Sequence, residues 1–383
     1  MSSTSPNQQQ YRFSRQTHHF GHDHTPNIWE RIHIDPWLTL LLLTICFLSL
    51  AILYSASTQD MAMVIRQMVS YSIAFTVMFA MAQIPPSIYR LFTPFFYVAG
   101  VCLLLLVEIA GEVRMGAQRW ISIPGFGSVQ PSEFMKLGMP MACAWFLSKR
   151  DLPPKITTVV ITLIVIMLPV LLIAKEPDLG TSLLVAASGI FVLFLAGLPW
   201  WMIGSAIAMM IPLVWAGWQF FMHDYQKQRV LTLLNPESDT LGTGWNITQS
   251  KIAIGSGGIS GKGYLEGTQS HLHFLPEGHT DFIIAAFSEE FGLIGVCVLL
   301  FLYACILMRS LYISLIHKDT YGRLLGGAIA ISFFVYVFVN IGMVGGILPV
   351  VGVPLPLISY GGTAVITLMA GFGLLMSIYT HNP

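Results

Sequence analysis

Charge is what this sequence has least of. Only 10% of its 383 residues are Asp, Glu, Lys or Arg, against 55% hydrophobic, whereas a soluble domain carries about a quarter charged residues. That deficit excludes an ordinary water-soluble domain and points to a chain that meets lipid over much of its surface. The formal net charge is zero, so the basic excess that nucleic-acid binding requires is also missing. Cysteine is scarce and odd in number. Cys46, Cys102, Cys143, Cys297 and Cys305 lie inside apolar runs without a CxxC pair, which excludes a disulfide framework and a zinc ribbon alike and leaves them as small core residues. No internal repeat or matched pair of interrupted helices is visible, which weakens the case for an inverted-repeat transporter.

What is present is a succession of apolar runs, at about 36–56, 64–82, 91–110, 131–147, 155–174, 179–197, 200–221, 282–308, 324–347 and 357–379. Most approach the ~20 residues that cross hydrocarbon. The expected fold is therefore an all-α polytopic membrane protein of about ten transmembrane helices with one long extracytoplasmic loop. The weakest spans are 131–147, which is short and holds Glu133 and Lys136, and the barely separated pair 179–197 and 200–221. Residues 1–35 are polar, with Gln8 to Gln10 and His18, His19, His22 and His24, and lack the apolar core of a signal peptide. They read as a disordered cytoplasmic tail, and no acidic or cysteine partners frame the histidines as a metal site.

Lys and Arg orient the spans. With the N-terminus inside, Arg12, Arg15, Arg31, Arg90, Lys149, Arg150, Lys155, Arg309, Lys318 and Arg323 gather on the cytoplasmic side, against Arg66, Arg114, Arg119, Lys136 and Lys175 on the other. The bias predicts cytoplasmic termini and an outward-facing loop over 222–281.

That loop is the one extended polar stretch after the N-terminal tail, and it ends in Phe274-Leu-Pro-Glu-Gly-His-Thr-Asp281 at the mouth of an apolar run. A carboxylate there stands near the positive end of a helix dipole, within reach of water. Thr280 or Asp281 could equally be a helix cap. Gly255-Ser-Gly-Gly-Ile-Ser-Gly-Lys-Gly263 departs from the Walker pattern at Ser256 and Gly263. It is either a flexible turn or, with Lys251 and Lys262 beside it, a set of amides for a phosphate. Glu133 and Lys136 share one helix face at i,i+3, either as a structural ion pair or as part of a polar interior. Lys175-Glu-Pro-Asp178 falls on the same outer side. Pro349 to Gly362 packs Pro and Gly at membrane depth, and such backbone must line protein or a cavity. A broken re-entrant segment is expected, with Ser359 and Tyr360 as hydrogen bonders. Asn246-Ile-Thr248 matches a glycosylation sequon, a short pattern that carries no argument here.

Taken together, Gly116-Ala-Gln-Arg-Trp120, Gln130-Pro-Ser-Glu133 with Lys136, Glu176-Pro-Asp-Leu-Gly-Thr-Ser182, Gln249-Ser-Lys-Ile-Ala-Ile-Gly255, Phe274 to Phe282, Glu289-Glu290 and Pro354-Leu-Pro-Leu-Ile-Ser-Tyr-Gly-Gly362 resemble the SEDS family of polytopic membrane proteins over roughly residues 36–379. Gly267-Thr-Gln-Ser270 makes the chain more similar to the rod-shape branch than to the division branch. One departure is Gly278, where many members carry a basic residue.

The resemblance implies a peptidoglycan glycosyltransferase of the bacterial inner membrane that polymerises lipid II beside a class B penicillin-binding protein. It implies Asp281 as the catalytic acid residue. Joining a sugar 4-hydroxyl to an α-linked lipid pyrophosphate donor to give a β product needs one inverting displacement, with a base at the hydroxyl and cations at the pyrophosphate. Asp281 is the candidate base, its basicity raised by Glu277, Glu289 and Glu290 and opposed by the helix dipole. Arg119, Arg229, Lys251 and Lys262 are candidate pyrophosphate ligands. Trp120, Glu133, Lys136, Glu277, His279, Thr280, Ser359 and Tyr360 are further candidate substrate contacts. A divalent cation, Mg or Mn, could share the charge, although no ligand cluster specifies one. The rival readings are a lipid II flippase and a non-enzymatic scaffold for the penicillin-binding protein.

Overall fold

The computed structural model describes residues 28–114, 117–123, 127–222, 224–236, 239, 242–268 and 278–381. After a single helical turn at Ile28–Arg31 come α1 (Pro36–Ala56), α2 (Met61–Gln83) and α3 (Pro86–Ala110). A small sheet follows, β1 (Glu112–Arg114), β2 (Ala117–Ile123) and β3 (Gly127–Val129), then α4 (Pro131–Leu147), α5 (Ile156–Lys175), α6 (Leu179–Leu195) and α7 (Trp200–Ala216), the last extended by a π turn at Gly217–Phe221. The chain continues as α8 (Asp224–Leu234), α9 (Thr243–Gly257), α10 (Ile283–Ile316), α11 (Thr320–Val344) and α12 (Gly362–Thr380). Eight of these helices are long and apolar enough to cross a membrane. The 17-residue α6 is a shorter apolar helix, and α4, of the same length, carries Glu133 and Lys136, so the count is roughly consistent with the ten expected. Both sit inside the bundle, α4 against α3 and α6, and α6 against α5 and α11. By contrast, none of the described residues of α7 is buried.

Local chemistry sets the helix starts. Pro36, Pro86 and Pro131 occupy the first turns of α1, α3 and α4, where a missing N–H costs no hydrogen bond. Asp35, Asp60, Asp178 and Asp319 precede α1, α2, α6 and α11, and each accepts from first-turn amides.

Three features depart from the expectation. First, the segment between α3 and α4 folds as an antiparallel meander, β1 on β2 and β2 on β3, where no strand was anticipated. β1 and β3 have only three residues each, and the seven of β2, AQRWISI, do not strictly alternate apolar with polar. Second, the long polar loop holds two helices, and α9 packs on α10 and α11. Third, α10 is broken at Gly292, whose φ of 62° and ψ of −164° only glycine adopts readily.

The break is filled by the glycine-rich stretch after α9. Leu293 N and Ile294 N donate to the carbonyls of Gly258 and Ile259 at 3.0 and 3.1 Å, while Lys262 N and Gly263 N donate to those of Glu289 and Glu290 at 3.0 and 3.1 Å. The loop therefore supplies the backbone partners that the kink removes, as buried amides require. That is the role of Gly255 to Gly263, and the phosphate-cradle reading is set aside.

Residues 349–361 run without a helix, and α12 begins at Gly362, later than the apolar run suggested, because Pro354 and Pro356 interrupt helical bonding. Buried side chains meet this segment's carbonyls. Tyr71 Oη donates to Leu357 O at 2.7 Å, Ser49 Oγ to Ile358 O at 2.9 Å and Tyr303 Oη to Pro356 O at 2.6 Å. The expected re-entrant segment is thus present, lying in protein rather than lipid.

Candidate active site

The re-entrant segment is strapped to the start of α10. Tyr360 N donates to His279 O at 3.0 Å, and Ser359 Oγ donates to Thr280 O at 2.6 Å while accepting from Leu355 N at 2.8 Å. Asn340, a fully buried amide in α11, donates through Nδ2 to both Asp281 O at 2.8 Å and Val353 O at 2.7 Å. These bonds fix the backbone of Asp281 beside Val351 to Pro354. Gly352 has φ +72°, and a Cβ there would lie 3.5 Å from Asp281 Oδ2. The carboxylate therefore rests over a residue with no side chain.

Gly352 lines a polar cavity of about 250 Å³ whose wall also includes Arg119, Gln130, Glu133, Lys136, Asp178 and Arg229. Arg119 comes from β2 and is held by the turn between α5 and α6. Its Nε donates to Glu176 O at 3.0 Å, its Nη2 to Pro177 O at 2.5 Å, and its Nη1 lies 3.7 Å from Asp178 Oδ2. Gln130 Nε2 donates to the same Asp178 oxygen at 3.1 Å. Lys136 pairs with Glu133 Oε1 at 2.5 Å and lies over the Tyr336 ring. Glu133 Oε2 is buried with no hydrogen-bond partner. A buried carboxylate oxygen left in this state costs on the order of 1–3 kcal/mol, so it is poised for a donor that enters the cavity. Glu133, Lys136, Pro354 and Ala364 also line an adjoining cavity of about 70 Å³ whose other walls include Leu137, Ile329, Phe333, Leu357 and Leu368. A polar chamber thus joins an apolar groove.

The residue at the N-cap position of α10 is Phe282, whose side chain has no group to cap it. Asp281 therefore lies one residue before the position that aspartate occupies at four other helix starts.

The remaining predicted residues separate. Arg119, Glu133, Lys136 and Arg229 meet at the polar cavity, and Ser359 lines the apolar one. Lys262 does not line either; it pairs with the fully buried Glu289 at 2.5 Å, and Thr268 N also donates to that carboxylate at 2.9 Å. Lys251 is exposed and packs over Gly346. Trp120 lies on β2 opposite Glu112. His279 meets the Tyr360 ring edge-on at 6.4 Å, and Glu277 lies outside the described residues. Glu289, expected as a like charge raising Asp281, is instead neutralised by Lys262. Gln130, Asp178, Asn340 and Gly352 were missed as site residues. The first two stood in quoted motifs, and an amide inside the apolar run 324–347 was the available signal for Asn340. Among the described residues no group of three or more His, Cys, Asp or Glu could hold a metal ion.

Fold and site together define a multi-pass helical membrane protein with an arginine-lined cavity and an aspartate held beside its wall, over Gly352, by a re-entrant segment. The chain belongs to the cell cycle protein family FTSW_RODA_SPOVE, whose model matches residues 33–383. It is 51% identical to the peptidoglycan glycosyltransferase MrdB of Escherichia coli K12 over 354 residues, covering 92% of this chain and 95% of that one. The fold matches a chain of a peptidoglycan synthase complex that coordinates polymerization and crosslinking, with a TM-score of 0.78 and 29% identity over 90% of this chain and 97% of that chain. It also matches the crystal structure of the Thermus thermophilus rod shape determining protein RodA, with a TM-score of 0.69 and 27% identity over 91% and 97% of the two chains.

Proposed function

We infer that this chain, a multi-pass peptidoglycan glycosyltransferase, polymerises lipid II into glycan strands for cell-wall elongation and rod shape, working in the inner membrane beside a class B penicillin-binding protein. The observation that carries the reading is the Asp281 carboxylate lying over Gly352, a residue of the cavity wall to which Arg119, Lys136 and Arg229 also belong. In the reaction, the acceptor's 4-hydroxyl oxygen forms a bond to the donor's anomeric carbon as the carbon–oxygen bond to the lipid pyrophosphate breaks. The electron pair leaves with the pyrophosphate, the hydroxyl proton passes to Asp281, and the α linkage becomes β.

Arginine suits the leaving group because its planar fork meets phosphate oxygens with charge-assisted bonds. The adjoining apolar groove offers a path for the lipid chain. The Lys and Arg distribution supports cytoplasmic termini and a cavity facing the periplasm or cell exterior.

The test is polymerisation of labelled lipid II by the purified protein with its partner, transpeptidase blocked, comparing wild type with a folded, partner-binding Asp281→Ala. Strands from the wild type alone support the reading. Equal polymer from both overturns the role of Asp281, and polymer from neither turns attention to lipid translocation, the flippase alternative. Loss of polymer only when the partner surface is altered would favour a scaffold.

A further inference from the structure

The turn that carries Asp178 also holds a carboxyl group with no part in the steps above. Glu176 follows the last residue of α5, is 5% exposed, and has no hydrogen-bond partner at either carboxyl oxygen. Its own carbonyl and that of Pro177 receive the Arg119 guanidinium. An ionised carboxylate in that position would be desolvated with no hydrogen bond at either oxygen, a cost that a neutral acid reduces. Burial first, and then the charge of Asp178, raise its pKa; Arg119 opposes them, Glu108 adds to them, and the carboxyl is pushed up to about 8.

The charged groups facing Glu176 are Arg119 on β2, Asp178 in its own turn and Glu108 at the end of α3, the last paired with Lys175 at 2.9 Å. The cavity wall itself carries Arg119, Lys136 and Arg229 against Glu133 and Asp178. With the Asp281 carboxylate beside Gly352 of that wall, three cations face three carboxylates, and a further carboxylate at Glu176 would turn the balance negative.

We propose that Glu176, as a neutral acid, is a positioning residue for Arg119 that keeps the guanidinium's charge available to the donor's pyrophosphate. This rests on the lipid II polymerase reading and adds a pH limit to it. The protonated form is the competent one. Competence is present below about pH 8 and is lost as pH rises through that value, because the new carboxylate draws on Arg119 and repels the pyrophosphate.

The experiment measures initial rates of lipid II polymerisation by the full chain with its penicillin-binding partner from about pH 6.5 to about pH 9.5, resolving kcat from KM. Wild type should lose about tenfold in kcat/KM between about pH 7 and about pH 9, mainly through KM. Glu176→Gln, which keeps shape without the ionisation, should match wild type near neutrality and lack this alkaline fall. Glu108→Gln, a change at a side chain 44% exposed, removes a charge that raises Glu176 and should move the fall to lower pH.

An alkaline fall that persists in Glu176→Gln, or a folded Glu176→Gln inactive near neutrality, overturns the proposal. Where Glu176→Gln does not accumulate, the Glu108→Gln profile decides. A shift to lower pH supports the positioning role, and an unmoved profile overturns it. Absence of polymer from the wild type at every pH would instead remove the polymerase reading, and with it the proposal.

Discussion

At the end of the bundle where the start of α1 meets the end of α12, Asp35 caps α1 and accepts from Arg309 Nε at 2.7 Å, and Asp319 caps α11 and pairs with Arg90 at 3.3 Å. At the opposite end, where Asp281 lies beside Gly352 of the cavity wall, Glu133 keeps one buried oxygen without a partner and Glu176 keeps two. The residue types are the same. What differs is whether the protein itself completes their hydrogen bonds. Where it does, the charges hold helices together. Where it does not, and a polar cavity adjoins them, the remaining capacity suits a substrate. The contrast separates structural from functional charge on one chain with no appeal to position in sequence.

The comparison can be broken by substitution at either end. The largest effect is expected from Asp281→Ala, with polymerisation falling by about 10²–10⁴-fold while the thermal midpoint in detergent stays near the wild-type value. A large drop in midpoint would place Asp281 with the structural charges. Next, Arg309→Ala should leave the fully buried Asp35 carboxylate short of its cation and cost about 3 kcal/mol of stability. This would be seen as a lower midpoint with activity per folded molecule retained. Lost activity at an unchanged midpoint would reverse the assignment of that end.

Smaller still is Arg229→Ala, which removes one charge-assisted bond to the pyrophosphate. It should raise KM for lipid II by about 10-fold or somewhat more, the equivalent of about 1.5–3 kcal/mol, with little change in fold. At the bottom of the scale, Lys251→Ala, at an exposed residue outside the cavity wall, should alter neither KM nor stability beyond about 0.5 kcal/mol. A KM effect matching that of Arg229→Ala would return Lys251 to the site.

Much of this was legible before folding was considered. The apolar runs marked the spans, the short ones included, because crossing a bilayer imposes a length and hydropathy that each segment must meet by itself. Pro354, Pro356 and Gly361-Gly362 marked the re-entrant segment for a similar reason, since backbone rich in Pro and Gly does not continue a helix. The charged motifs around Arg119, Glu133 and Asp178 were visible as a group on one side.

Less legible was what each charge meets. Lys262 and Arg229 are both basic residues of the same polar stretch, yet Lys262 is consumed by Glu289 inside the broken α10 and Arg229 lines the cavity. The glycine-rich run looked like a phosphate loop and proved to be the partner of a helix kink.

By itself, then, the sequence determined that the chain spans a membrane many times, which stretches break the helices, and which end gathers polar chemistry. Each follows from hydropathy or backbone geometry over a few neighbouring residues. Only the tertiary structure decided that Asp281 lies over Gly352, that Asn340 ties its backbone to Val353, and that Glu176 is enclosed beside Arg119. The state of a buried polar group depends on partners supplied from distant parts of the chain, as when Tyr71 reaches the carbonyl of Leu357. No local pattern in the sequence records those meetings.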